Sequence, residues 1–184
     1  MKIIKEKVVH KGKFLSRIDT EFEDRSGKIQ TWESVSRHNS GEIAVIFAIT
    51  KNDDVILVKI FRVPLGGYVY ELPAGLTDKK NEDPKDAAIR ELAEETGHSV
   101  LSDNIELILR GPFNAGMTND ILRIYFARDA IKTKEPELEG SEDIEVVRIP
   151  LKKLVSFVET QSKKNLVDIK ILSILPILEE RGLV

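Results

Sequence analysis

The chain has 184 residues, of which 41% are hydrophobic and 32% charged, and its formal net charge is −3. This composition is ordinary for one soluble globular domain, and it lacks the strongly basic surface of a nucleic-acid-binding protein. The absence of cysteine excludes disulfides and thiolate chemistry. No apolar run reaches the roughly 20 residues of a membrane-spanning helix. We therefore expect a cytoplasmic protein with no nucleic-acid or membrane partner.

Alternating hydrophobic residues at the N-terminus predict three strands, over residues 3–9, 14–22 and 29–36. Turns near Gly12 and at residues 25–28 join them into an antiparallel β extension. We assign residues 1–40 to this extension and residues 41–184 to the main domain.

The main domain is predicted to contain many strands and few helices, which indicates an α+β fold. Residues 131–143 are acidic, contain a proline and are expected to form a surface loop. Pro176 is expected to kink or end the last helix. The predicted strands cover residues 42–49, 55–60, 68–72, 105–109, 121–127 and 144–149, and the predicted helices cover 84–96, 150–159 and 168–179.

The helix over residues 84–96 has clear boundaries. Asp83 is a favourable N-cap, and Pro84 suits the first helical position, where a missing N–H costs nothing. Gly97 follows the last turn and can adopt the left-handed conformation that ends many helices.

Three carboxylates, those of Glu91, Glu94 and Glu95, fall on one arc of this helix. With about 100° of rotation per residue, Glu94 lies about 60° to one side of Glu91 and Glu95 about 40° to the other. The opposite face is expected to pack on the core through Ile89, Leu92, Ala93 and Thr96.

The clustered carboxylates favour a metal site. Two such charges about 6 Å apart in a partly buried cleft repel each other by about 3 kcal/mol. No Lys or Arg lies on the arc, and a divalent cation would turn the repulsion into ligation, for which Mg²⁺ or Mn²⁺ is suited. The alternative is a solvated face, which is the commoner role of a glutamate-rich helix.

The segment from Gly75 to Gly97 resembles the Nudix box. It supplies Gly75, Glu82 and the run Arg90-Glu91-Leu92-Ala93-Glu94-Glu95-Thr96-Gly97. Six residues separate Gly75 from Glu82, one more than the family pattern has, and the extra residue lies in the loop 77–81. The helix register is unaffected. The resemblance implies the Nudix fold, a mixed sheet sandwiched between helices.

Other stretches resemble one Nudix subgroup, the ADP-ribose and nucleoside-diphosphate-sugar pyrophosphatases. The resemblance implies Mg²⁺-dependent hydrolysis of a pyrophosphate bond, giving a nucleoside monophosphate and a sugar phosphate. One alternative is another Nudix substrate class, such as dinucleoside polyphosphates, NADH or capped RNA; a second is a non-catalytic nucleotide-sensing module. The stretches are residues 31–37, 61–64, 71–75, 116–119 and 141–145.

The resemblance also implies roles at the metal. Mg²⁺, or Mn²⁺ in its place, would be held by the Ala74 carbonyl together with Glu91, Glu94 and Glu95, which are the catalytic carboxylates of the box. Glu142 would position or deprotonate the attacking water, a role for which Glu145 is a nearby rival. Arg90 is expected to pair with Glu82 or with the box carboxylates and to fix their rotamers, as structural support. The three histidines form no ligand set.

Substrate-binding residues follow from the same resemblance. Trp32 would stack on the nucleobase and Glu33 would contact its edge, although a lone tryptophan is as well explained by a sheet-face aromatic. Arg37 and Arg62 would hold the diphosphate or the terminal sugar, since guanidinium groups bind phosphate oxygens bidentately. Met117 belongs to the same site. Relatives with such a β extension are commonly homodimers, so we expect a homodimer.

Overall fold

The N-terminal residues form a separate three-stranded antiparallel sheet. In the computed structural model its strands are β1 (Lys2–Lys11), β2 (Leu15–Glu23) and β3 (Ile29–Arg37), in the order β1-β2-β3. Both faces of this sheet are largely exposed, and Phe22 is the main hydrophobic residue that it buries. The structure describes residues 1–38, 42–77, 79 and 81–184.

The main sheet is mixed. Its strand order is β12-β6-β5-β4-β10-β8, with β11 beside β5, β7 beside β4 and β9 beside β10. β4 pairs with β10, and β12 with β6, in parallel, whereas the other pairs are antiparallel. The strands are β4 (Ile43–Thr50), β5 (Asp54–Arg62), β6 (Gly67–Glu71), β7 (Ala74–Leu76), β8 (His98–Ser99), β9 (Ile105–Pro112), β10 (Ile121–Lys132), β11 (Ile144–Pro150) and β12 (Leu166–Val167).

Helices cover both faces of this sheet. They are α1 (Pro84–Thr96), α2 (Leu154–Gln161), α3 (Lys170–Ser173) and α4 (Leu175–Glu180). Because side chains alternate along a strand, β4 contributes to both cores. Its Val45, Phe47 and Ile49 pack with the C-terminal helices α2–α4. Its Ala44, Ile46 and Ala48 pack with α1. The predicted α+β sandwich with an antiparallel N-terminal sheet is confirmed.

Helix α1 has the predicted bounds, and its caps explain them. The side chain of Asp83 accepts a hydrogen bond from the N–H of Lys85 at 2.8 Å. Gly97 takes φ +71°, the left-handed conformation that favours glycine, and its N–H donates to the carbonyl of Ala93.

The C-terminal helices differ from the prediction. The first begins at Leu154 rather than residue 150, after a short 3₁₀ turn. The predicted helix 168–179 is divided into α3 and α4 at Ile174. Pro176 accounts for the break, since it lacks an N–H and its ring clashes with the carbonyl four residues earlier. No helix in the described part of the chain is long and apolar enough to cross a membrane.

His98 makes the stability of the fold sensitive to acid. Its side chain is 3% exposed, and its Nδ1 lies 3.0 Å from the carbonyl oxygen of Thr96. Burial, assisted by Arg148 and Lys132, lowers the pKa of His98 below its usual value. The unfolded chain therefore binds a proton first, at a pKa of about 6.5. The stability that depends on neutral His98 is present above that pH and is lost as the pH falls toward the lower folded pKa.

We accordingly expect the free energy of unfolding to fall by up to about 1.4 kcal/mol per pH unit below about pH 6.5 on account of this one group. Urea denaturation at about pH 7.5 and about pH 5.5 measures the change. The variant His98→Gln should show a smaller fall between the two pH values. An equal fall in both proteins would assign the acid sensitivity to other groups.

Candidate active site

The carboxylate of Glu95 is buried between α1 and the turn before β7. It is 5% exposed, and its Oε2 accepts a hydrogen bond from the N–H of Ala74 at 3.2 Å. Burial, with the charge of Glu91 beside it, raises the pKa of Glu95 to about 8. The helical arc placed Glu95 with its neighbours on a face away from the core. The expectation that Glu95 lies on an uncovered face is wrong, because strand β7 covers the side of helix α1 that carries Glu95. On the face that was expected to pack on the core, Ile89 and Ala93 are only half-buried.

The carboxylate of Glu91 occupies the space beside Gly75. A Cβ at Gly75 would lie 2.0 Å from Cδ of Glu91, a distance at which one of the two must move. Glycine is therefore required here for close approach rather than for its backbone angles. Burial raises the pKa of Glu91, although the neighbouring Arg90 acts in the opposite direction.

Arg90 binds four acceptors at once. Its guanidinium donates to Glu82 at 2.8 Å, to Glu91 at 2.5 Å, to Glu94 at 2.8 Å and to the carbonyl of Leu76 at 3.1 Å. The hydrogen bond from Arg90 holds the pKa of Glu82 below its usual range. Arg90 thus pairs with Glu82 and with two of the box carboxylates. It does not lie on the arc, but its long side chain reaches the arc from the side and offsets part of the repulsion there.

These residues suit a hard divalent cation by their chemistry. Glu91 and Glu95 offer carboxylate oxygens with raised pKa values at largely buried positions, where a cation would stabilise the ionised forms. The side chains do not yet enclose an ion: within the described ranges, no three acidic or imidazole groups converge on one point. Arg90 takes one oxygen from Glu91 and one from Glu94, so ion binding would require those carboxylates to turn.

Glu142 approaches the box carboxylates from the loop before β11. Its negative charge contributes to the raised pKa values of both Glu91 and Glu95. The rival carboxylate, Glu145, is instead paired with Lys59 at 2.9 Å. The charge of Glu142 thus acts on the carboxylates of the helix, whereas Glu145 is engaged by Lys59.

Arg62 is held by an acidic partner that sequence reasoning missed. Its Nε and Nη2 donate to the two carboxylate oxygens of Glu71, both at 2.8 Å. Glu71 is 9% exposed and raises the pKa of Arg62 further. Glu71 opens the pre-box run, and a glutamate that ends a buried strand could have been suspected of binding a cationic side chain. The charge of Glu95 also contributes to the raised pKa of Arg62.

Trp32 and Met117 share a second cavity, of about 360 Å³, between the N-terminal sheet and the loop 113–120. The indole of Trp32 is 54% exposed, and its Nε1 donates to the carbonyl of Gly116 at 2.9 Å. The N–H of Val35 donates to the carbonyl of Met117 at 2.8 Å. These two hydrogen bonds attach the N-terminal sheet to that loop.

Glu33 and Arg37 do not join either cluster within the part of the chain that the structure describes. Glu33 lies 3.9 Å from Arg17, and Arg37 lies 3.5 Å from Asp120. The boundary between residues 40 and 41, and residues 78 and 80 of the loop 77–81, lie outside the described residues.

The fold and the box cluster agree with comparisons to known proteins. The NUDIX domain family matches residues 41–169. An ADP-ribose pyrophosphatase of Bacillus subtilis is 32% identical over an alignment of 167 residues that covers 88% of this chain and 87% of that protein. An ADP-sugar pyrophosphatase of Mus musculus is 29% identical over 165 residues, covering 84% of this chain and 75% of that protein.

A solved structure described as an ADP compounds hydrolase superposes with a TM-score of 0.81 and 21% identity, covering 99% of this chain and 96% of that one. At that identity the likeness concerns the fold. The chain belongs to the Nudix family of hydrolases, and the predicted Nudix fold and enzymatic class are confirmed.

Proposed function

We propose that this enzyme hydrolyses the pyrophosphate bond of ADP-ribose or of a nucleoside diphosphate sugar in a Mg²⁺-dependent reaction. One observation carries the proposal: the carboxylates of Glu91 and Glu95 lie against the start of β7 at Ala74 and Gly75, and Arg90 holds Glu94 beside Glu91. This arrangement suits a diphosphate bound through metal ions. The names of the relatives from Bacillus subtilis and Mus musculus support the substrate class.

In the proposed reaction, the Glu142 carboxylate accepts a proton from water as the water oxygen bonds to one phosphorus. The bridging P–O bond of the diphosphate breaks, and the products are a nucleoside monophosphate and a sugar phosphate. Arg62 orients the diphosphate: with Nε and Nη2 engaged by Glu71, its Nη1 is left to donate to a phosphate oxygen. Positioning of this kind is the main contribution of the protein to phosphoryl transfer.

The metal would be held by the Glu91, Glu94 and Glu95 carboxylates and the Ala74 carbonyl. When bound, Mg²⁺, or Mn²⁺ in its place, supplies charge neutralisation at the diphosphate and acidifies the attacking water. Arg90 and Glu82 support these ligands by fixing where their oxygens can point.

For the nucleobase we propose the cavity that contains Trp32 and Met117, since an exposed indole offers a flat stacking surface. Glu33 follows Trp32 on β3, and Arg37 lies 3.5 Å from Asp120 at the end of the loop that borders the cavity, so both would act from the edge of this site. The proposed assembly is a homodimer in which residues 1–40 act in dimerisation and base binding while residues 41–184 form the hydrolase domain.

A panel of substrates tests the function. We expect Mg²⁺-dependent release of nucleoside monophosphate from ADP-ribose, GDP-mannose or UDP-glucose, and much slower turnover of diadenosine polyphosphates and NADH. Product separation by chromatography identifies the bond that is cleaved. Preferred turnover of a dinucleoside polyphosphate or NADH would favour the other substrate class. Tight binding of ADP-ribose without hydrolysis would favour the nucleotide-sensing alternative.

The oligomeric state is tested separately. The exposed apolar residues of the N-terminal sheet, which include Ile3, Val8 and Ile29, favour a partner surface. Light scattering coupled to size exclusion at micromolar concentration should give twice the chain mass of 20.8 kDa. A mass of one chain would contradict the homodimer.

A further inference from the structure

The loop that carries Glu142 is fixed to helix α1 at its beginning. The N–H groups of Thr133 and Lys134 donate to the carbonyl of Gly97 at 2.9 and 3.2 Å, and the N–H of Glu137 donates to the carbonyl of Glu94 at 2.7 Å. The contact is close enough that a Cβ at Gly97 would lie 2.1 Å from the carbonyl oxygen of Lys134. The first half of the loop therefore moves with the helix that bears the box carboxylates.

The end of the loop is held by a tyrosine. The hydroxyl of Tyr68 donates to Oδ2 of Asp143 at 2.5 Å, and the N–H of Phe61 donates to the carbonyl of Asp143 at 3.1 Å. The residue directly after Glu142 is thus held by its side chain and by its backbone, from two adjacent strands of the main sheet.

Tyr68 is itself fixed on both sides. Its ring meets the ring of Phe61 edge-on, with centroids 5.3 Å apart. The ammonium group of Lys59 lies 5.2 Å from the centroid of the Tyr68 ring and 2.9 Å from Glu145. The hydrogen bond to Asp143 raises the pKa of Tyr68, so the phenol keeps the proton that it donates. These contacts hold the ring where its hydroxyl reaches Asp143.

Glu142 lies between these two attachments and has little independent support. Its N–H donates to the carbonyl of Glu139 at 2.9 Å, and its Oε2 accepts from the N–H of Glu139 at 2.8 Å. Both contacts are internal to the loop, so they shape it without fixing it to the sheet. The position of this part of the loop therefore depends on how the neighbouring Asp143 is held.

We propose that Tyr68 and Asp143 are positioning residues, which act through their mutual hydrogen bond to hold the part of the loop that carries Glu142 in place for the attack of water. The inference rests on the proposed function, since it assumes that Glu142 handles the attacking water. Neither residue needs to touch the substrate. Loss of the Tyr68 hydroxyl should leave substrate binding nearly intact and disturb the chemical step, because the orientation of the proton acceptor is what changes.

The variant Tyr68→Phe removes the hydroxyl and keeps the ring. We expect kcat for ADP-ribose to fall about tenfold or more with KM changed less than about twofold. Amide hydrogen exchange in residues 138–143 of the metal-free, substrate-free protein should become faster. Tyr70→Phe is the matched control: Tyr70 lies on the same strand, packs edge-on against Phe157 and should behave as wild type.

A second pair of variants distinguishes loss of the Tyr68–Asp143 hydrogen bond from a general loss of structure. Asp143→Asn keeps an acceptor for the hydroxyl and should retain most of the activity, whereas Asp143→Ala should match Tyr68→Phe. The double variant Tyr68→Phe/Asp143→Ala should lose no more than either single variant, since both remove one interaction.

Four outcomes would contradict the inference or the function on which it rests. The inference is overturned if Tyr68→Phe shows the same amide hydrogen exchange as wild type in residues 138–143 and a kcat within twofold of it. It is also overturned if amide exchange becomes faster while kcat stays unchanged. A change in KM alone would show that Tyr68 binds substrate, which also overturns it. If the wild-type protein hydrolyses no compound of the panel, the proposed function has failed, and with it the catalytic role of this pair. Exchange then still decides whether Tyr68 holds the loop.

Discussion

Replacement of Glu95 by Gln is expected to lower kcat about a thousandfold, equivalent to about 4 kcal/mol in the activation barrier, while the metal-free protein stays folded. The two effects have different causes. A neutral amide is a poor ligand for Mg²⁺, so the variant loses metal affinity. In the metal-free protein the same amide suits a buried position better than a carboxylate does, and its oxygen can still accept from the N–H of Ala74.

The prediction for Glu95→Gln also fixes the direction in which the stability of the metal-free protein changes. Because burial raises the pKa of Glu95 from 4.5 to about 8, the ionised carboxylate destabilises the folded state increasingly as the pH rises through that interval. Glu95→Gln should therefore melt at the same or a higher temperature than wild type at neutral pH without Mg²⁺. It should gain less than wild type when Mg²⁺ is added, because ligands stabilise only the state that binds them.

Turnover of ADP-ribose and melting curves with and without Mg²⁺ measure both effects. Glu159→Gln is the matched control, since it makes the same chemical change at an exposed position on helix α2. Wild-type turnover in Glu95→Gln would remove this residue from the metal site. A large loss of stability in the absence of metal would show that the carboxylate is needed by the fold itself.

The second large effect is expected from Gly75→Ala. The added methyl group would meet Cδ and Oε1 of Glu91, each at 2.0 Å. The carboxylate is the far end of a flexible side chain, so it can swing away and let the protein fold. It would then no longer point at the site, and we expect kcat/KM to fall by about a hundredfold or more. The loss of stability should be small, within about 1 kcal/mol.

Gly111→Ala is the control for this change. A methyl group there meets nothing within 4 Å, and the position is a strand residue of β9 with an ordinary backbone conformation. Activity assays and urea denaturation of the two variants separate the effects. Full activity in Gly75→Ala would mean that Glu91 has no fixed place in the reaction. A loss of several kcal/mol would mean that the methyl group displaces the strand rather than the side chain.

The sequence predicted helix α1 well because its boundaries depend on local chemistry. Asp83 caps its own helix, and Gly97 supplies a positive φ directly after the last turn. The box motif added the resemblance from which the fold and enzymatic class followed. Strand β10 was predicted to end at residue 127 and continues to Lys132, since its last residues pair with β8, a partner far away in the sequence.

The parts that could not be predicted depend on contacts between distant segments. The helical arc correctly grouped Glu91, Glu94 and Glu95, but the burial of Glu95 comes from β7, which the arc does not contain. Arg90 reaches four acceptors because of its side-chain conformation, which the helical arc does not specify. The hydrogen bond between Tyr68 and Asp143 joins residues that are 75 positions apart, and no local sequence pattern around either residue predicts it.

The seam between β4 and helix α1 is made largely of alanine, with Ala44, Ala48, Ala87 and Ala88 fully buried. Methyl side chains allow the helix to lie close to the sheet, and this closeness is what brings the Glu91 carboxylate against Gly75. Larger side chains at these alanines would lift the helix as a rigid body and carry the acidic cluster out of reach of the turn. During evolution, positions that never meet a nucleotide would thus be constrained as strictly as the glutamates themselves.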